Sequence, residues 1–126
     1  MLTDCMIETR LGAHFISEGV LHIVFKKGVD VGLEDMQESK QARIELQQEK
    51  KMKVLVDATD LTFITDEARA FAAQKENAAM SEAMAIVSRS LPITILTNFF
   101  IKFNKPETPT RMFRDRNSAL NWLKTI

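Results

Sequence analysis

Between Val20 and Phe25 the side chains alternate across an extended backbone, with Leu21, Ile23 and Phe25 on one side and Val20, His22 and Val24 on the other. Both sides are largely apolar, which predicts a strand with neighbours on each flank. The stretch before it, MIETRLGAHFISEG, holds further short apolar runs cut by Gly12 and Gly19, the punctuation of tight turns. The first third therefore reads as strands. From Leu33 to Lys51 the pattern changes to LEDMQESKQARIELQQEKK, a run of helix formers without Gly or Pro. Its apolar stripe is thin (Met36, Ala42, Arg43, Leu46), and its charged remainder is expected to be a solvated outer face.

MKVLVDAT predicts a short strand ending in Asp57. TDEARAFAAQKENAAM predicts one helix with Ala68, Phe71, Ala72 and Ala79 on one side. AMAIVSRS is a buried strand by length and composition. LPITILTNFFIKFNK fits two readings: Ile93, Leu96, Phe100 and Phe103 follow helical spacing, yet Ile95, Phe99 and Ile101 carry apolar surface round the cylinder. A Pro-marked turn and a last strand follow in KPETPTRMF. RDRNSALNWLKTI closes as a helix with Asp115 or Asn117 as N-cap and with Ala119, Leu123 and Ile126 inward, flanked by Trp122. The order β-β-β-α-β-α-β-α-β-α implies an α/β domain over residues 1–126. Its mixed central sheet has antiparallel N-terminal strands, right-handed crossovers and about four helices.

Composition narrows the class. A chain of 126 residues with 45% apolar and 27% charged residues is large enough for a core of its own. Seventeen basic residues balance seventeen acidic ones, so nucleic acid is not an expected partner. Cys5 has no internal partner for a disulfide, and a partly buried structural thiol is expected. No apolar run reaches the length of a bilayer span and no leader pattern is seen, so the expected location is cytoplasmic.

Four acids, Asp57, Asp60, Asp66 and Glu67, crowd the connection VDATDLTFITDEARAF. They lack the alternating, Gly-centred ligand loop that a calcium site needs, and His14 and His22 have no partner at zinc-ligand spacing. No phosphate loop, dinucleotide fingerprint or nucleophile elbow is present. No catalytic residue, metal or cofactor is expected. Asp57 is expected to satisfy backbone amides at a strand end. Thr65 is expected to cap a helix, with Asp66 and Glu67 against the positive end of its dipole.

The element order, the stretch VLVDATDLTFITDEARAF and the ending NKPETPTRMFRDRNSALNWL together resemble the SpoIIAA-like, STAS-related group, within the STAS and CRAL-TRIO-like fold. The resemblance spans nearly the whole chain. It implies a non-catalytic regulatory or protein-interaction domain. In the STAS anti-sigma antagonists the turn reads Asp-Ser-Ser-Gly, with one serine phosphorylated. Here it reads Thr65-Asp66-Glu67-Ala68, without either serine, and Thr65 stands at the place of the aspartate. What carries over is a partner surface at Thr65, Asp66, Glu67 and Arg69 that lacks the phosphoswitch. The alternative centres on residues 91–105, where eight of the thirteen residues from Leu91 to Phe103 are large and apolar. If buried, they are core. If outward, Ile95, Phe99, Phe100 and Phe103 form a homodimer contact, a partner groove or a site for an apolar ligand, lipid or membrane surface, assisted by Lys102 and Lys105.

Overall fold

A computed structural model describes residues 5–104 and 108–126, apart from the side chains of Ala78, Phe100, Phe103 and Asn104. Three strands open the chain: β1 (Met6–Glu8), β2 (Gly12–Ser17) and β3 (Val20–Phe25). The β2–β3 hairpin turns through Glu18 and Gly19 at φ 51° and 78°. Positive φ at both central residues gives the turn a twist that suits paired strands. Gly12 is required by space, since a Cβ there would stand 1.8 Å from the Val24 carbonyl oxygen.

The chain continues through β4 (Asp30–Val31), α1 (Leu33–Gln47), β5 (Met52–Asp57), β6 (Phe63–Ile64), α2 (Asp66–Ala72) and α3 (Lys75–Ala78). It ends with β7 (Ser81–Val87), α4 (Leu91–Asn104), β8 (Thr110–Phe113) and α5 (Arg116–Lys124). The main sheet runs β1-β2-β3-β5-β7-β8, antiparallel as far as β3 and parallel beyond. The mixed α/β sheet is therefore as expected, with β3 in its interior. A separate parallel pair, β4 with β6, holds the entries to α1 and α2 side by side, helped by the bond from the Thr65 N–H to the Val31 carbonyl. The expected second helix is two short ones, α2 and α3, so the described residues hold five helices. Phe71 is only half-buried, and Ala72 and Ala79 are exposed.

From β3 onward each crossover steps the same way across the sheet, and right-handed crossovers then place their helices on one face. Leu21, Ile23, Phe25 and Val54 form the core of that face with Ala68 of α2 and Ile93 of α4, and Met36 and Leu46 of α1 pack against it. The opposite face carries Leu55, Ala83, Ala85 and Val87 under α5, whose Ala119 and Leu123 are fully buried. Small residues on β7 let the α5 backbone approach closely. Ile126 lies beyond the end of α5 and is exposed, contrary to expectation, as is Cys5.

The inner side of α1 departs most from expectation. Its buried positions Asp35, Ser39, Arg43 and Gln47 recur every four residues, while Ile44 is exposed. The charged pattern is thus partly an inward stripe whose members each find a partner. Asp35 accepts from Arg10 and from the Gly32 N–H at 2.9 Å. The Ser39 hydroxyl lies 2.7 Å from His14 Nε2. Arg43 donates to Gln47 Oε1 and Ser81 Oγ, each at 3.0 Å. Gln47 Nε2 donates to the carbonyls of Lys50 and Met80 at 2.9 Å. Burial lowers the Arg43 pKa to about 10.

Candidate functional site

The acidic connection resolves into separate local tasks. Asp57, at the end of β5, accepts the backbone N–H of Thr59 at 3.1 Å and its hydroxyl at 2.6 Å through Oδ1. Thr65 caps α2 by accepting the Ala68 N–H at 3.1 Å. Both were expected from the sequence. Asp66 pairs with Arg69 one turn on, and Asp60 and Glu67 are exposed. Among the described residues no three His, Cys, Asp or Glu side chains gather as a metal site would require. Thr65, Asp66, Glu67 and Arg69 do stand together at the start of α2. The Thr65 oxygen is committed to the helix, and the Asp66 charge is answered by Arg69.

Asp57 has a second partner that the sequence did not suggest. Arg116, the first residue of α5, donates to Asp57 Oδ2 at 2.9 Å, and its other terminal nitrogen lies 2.9 Å from His22 Nδ1. A guanidinium only donates, so His22 Nδ1 accepts and the ring is neutral with its proton on Nε2. Burial lowers the His22 pKa first, and the Arg116 charge lowers it further. Burial pushes the Asp57 carboxyl up, but the Thr59 and Arg116 hydrogen bonds outweigh it and hold the pKa below its ordinary value. Phe15 stacks on the His22 ring at 4.8 Å between centroids. His14 lies on the other face of the sheet, where burial lowers its pKa. Its Nδ1 lies 3.2 Å from the Ile7 carbonyl and must donate, so in the neutral ring Nε2 accepts from Ser39. Neither histidine is placed as a ligand; both are buried and hydrogen-bonded. The signal for Arg116 was its place just after a strand, where Asp57 also sits.

The 91–105 segment takes the outward alternative at Ile95 and Phe99, while Ile101 is half-buried. It is helix α4. Ser90 opens it, its hydroxyl accepting the Ile93 N–H at 3.3 Å. Pro92 falls in the first turn, where a missing N–H costs nothing, and it would not be tolerated inside a central strand. Ile93 is buried, whereas Leu91, Ile95, Leu96 and Phe99 are 66%, 59%, 40% and 61% exposed. At 100° per residue these four span an arc of about 140° on one side of the helix. The buried alternative fails for these four side chains because one stripe is enough to seat a helix on a sheet. Phe100 and Phe103 have side chains outside the described residues, and Lys105 lies outside them altogether. Between Glu82 and Glu107 the sequence has no acid, and Arg89 and Lys102 bracket the exposed side chains.

A six-stranded sheet with an antiparallel start, parallel crossovers and a last helix on the opposite face defines a SpoIIAA-like α/β domain. An uncharacterized protein of the DUF3478 family from Shewanella loihica PV-4, described as having a SpoIIAA-like fold, superposes with a TM-score of 0.62. The match covers 94% of this chain and 90% of that one at 15% identity, and at that identity it shows the fold alone. It supports the SpoIIAA-like part of the expected resemblance and gives nothing for the CRAL-TRIO part. A protein of unknown function from Arthrobacter sp. FB24 is 22% identical over 90% of this chain and 99% of its own, with a TM-score of 0.33 that carries no argument. No curated protein matches the chain. The chain belongs to the family described as Domain of unknown function (DUF7793), whose model matches residues 14–126.

Proposed function

We propose that this is a non-catalytic interaction domain that docks a protein segment on the outer face of α4. The observation that carries this reading is the exposure of Leu91, Ile95, Leu96 and Phe99 along one side of a fourteen-residue helix. Four large apolar side chains grouped this way form a patch of the kind that marks contact sites. Charge selects the occupant. Cations bracket the patch with no acid between them, which favours a partner whose apolar stripe is flanked by Asp or Glu. The same cations disfavour a second copy, since antiparallel self-pairing of α4 would set Arg89 toward Lys102. The resemblance to regulatory domains agrees with this reading.

The test is affinity capture by the purified chain beside its Ile95→Glu/Phe99→Glu variant, followed by binding of any recovered protein in purified form. The expected result is a protein lost to the variant whose contacting segment is apolar and acidic. The same exposed residues and Lys102 also support a second reading, contact with an anionic membrane surface. Flotation on phosphatidylserine vesicles and sedimentation equilibrium therefore run alongside. Vesicle binding or self-association abolished by the same substitutions would overturn the protein-partner reading.

A further inference from the structure

Adjacent parallel strands whose chains leave toward opposite faces open a crevice at their carboxyl ends, the recurrent place for ligands in α/β sheets. Of the neighbouring strands here, β7 and β8 do this. The chain leaves β7 into α4, whose Ile93 joins one core, and leaves β8 into α5, whose Ala119 and Leu123 join the other. A cavity of about 370 Å³ lies at that fork, with Val87 and Leu120 as apolar walls and Thr59 and Asn117 as polar ones. Arg89, Arg114 and Arg116 also line it, against one acid, Asp115.

The charges are unequally engaged. Asp115 spends Oδ1 on the Ser118 N–H at 2.8 Å and Oδ2 on the Ser118 hydroxyl at 3.0 Å, so it caps α5. Arg116 is braced by Asp57 and His22. Arg114 is exposed and has no hydrogen bond or ion pair among the described residues, and Arg89 is exposed with only a through-space influence on Asp115. Counting Asp57 with Asp115, the site keeps one net positive charge, and two guanidiniums, Arg89 and Arg114, are left without an anion bonded to them. A carboxylate would answer one of them. A phosphomonoester, with a charge of about −1.5 to −2 and three acceptor oxygens, answers both, and guanidinium forks match its geometry.

We propose that the crevice between the ends of β7 and β8 binds a phosphomonoester group, held by Arg89 and Arg114 beside the braced Arg116. This shares Arg89 with the flank of the α4 face but none of its apolar side chains, and Arg114→Gln, which lies off that face, separates failure of this proposal from failure of the docking reading. The test is an amide chemical-shift titration of the full chain with inorganic phosphate and with phosphoserine at constant ionic strength, with acetate as the monoanion control. Saturable shifts confined to residues 57–59, 87–90 and 113–118 are expected with the phosphates and not with acetate. Arg89→Gln and Arg114→Gln alter exposed side chains that make no hydrogen bond or ion pair among the described residues, and each is expected to weaken binding about tenfold or more. The stronger of the two phosphate probes shows whether a free anion or an ester is preferred. A linear, unsaturable response shared with acetate would overturn the proposal, as would unchanged affinity in the Arg89→Gln/Arg114→Gln double variant.

Discussion

Gln47→Leu isolates the energetic logic of the polar stripe on α1. Gln47 is buried, and both ends of its amide are in use: Oε1 accepts from Arg43 Nε at 3.0 Å and Nε2 donates to the Lys50 and Met80 carbonyls at 2.9 Å. Leucine nearly preserves volume and removes all three bonds. A buried charged donor left unpaired costs about 1.5–3 kcal/mol, and each abandoned carbonyl about 0.5–1.5 kcal/mol. Burying leucine returns about 1 kcal/mol. The net loss is about 3 kcal/mol. With a slope of about 2 kcal/mol per molar urea, the unfolding midpoint should fall by about 1.5 M. Arg43→Met removes the buried charge but leaves Gln47 Oε1 and Ser81 Oγ without their donor, so by itself it is expected to cost about 1–3 kcal/mol. Arg43→Met/Gln47→Leu leaves neither end of the Arg43–Gln47 bond unpaired and should cost about 1–3 kcal/mol less than the sum of the single losses, the signature of two residues acting through one bond. A Gln47→Leu midpoint close to the parent's would refute the reasoning, as would strictly additive losses in the double variant.

Acid should weaken the fold before any carboxylate titrates. His14 and His22 are held below the ordinary 6.5, chiefly by burial, so the unfolded chain takes up protons that the fold resists. Their contribution is complete above about pH 6.5 and is lost as the pH falls below it. The lowered Asp57 pKa adds a further loss below the ordinary 3.8. Melting temperatures from pH 8 to pH 5 should show the first decline, and His22→Gln should flatten it; a level profile in the parent would contradict the tautomers assigned above. Asp66→Lys/Glu67→Lys reverses the charge at the start of α2 and should cost about 0.3–1 kcal/mol per residue through the helix dipole. Capture by α4 should survive that change. Loss of capture without loss of cooperative unfolding would move the partner surface to the α2 turn.

What the sequence determined by itself is what depends on near neighbours. Alternation along Val20–Phe25, the helix formers of Leu33–Gln47 and the order of elements follow from periods of two and 3.6 residues, which need no knowledge of the rest of the chain. The caps at Thr65 and Asp115 were legible for the same reason, since each bonds an N–H three residues away. In residues 66–79 the chain broke one expected helix into two. The tertiary structure decided everything that joins distant segments. Arg116 reaches Asp57 across 59 residues and His22 across 94, contacts that exist only because β3 and β5 are neighbours and α5 folds back across them. The polar stripe of α1 reads as solvated until His14 and Ser81 arrive from 25 and 38 residues away to satisfy it. Residues 91–103 told the same story in reverse. Their composition left core and interface both open, because burial depends on what lies opposite, and the fold offers α4 one face of a sheet and leaves its other side outward.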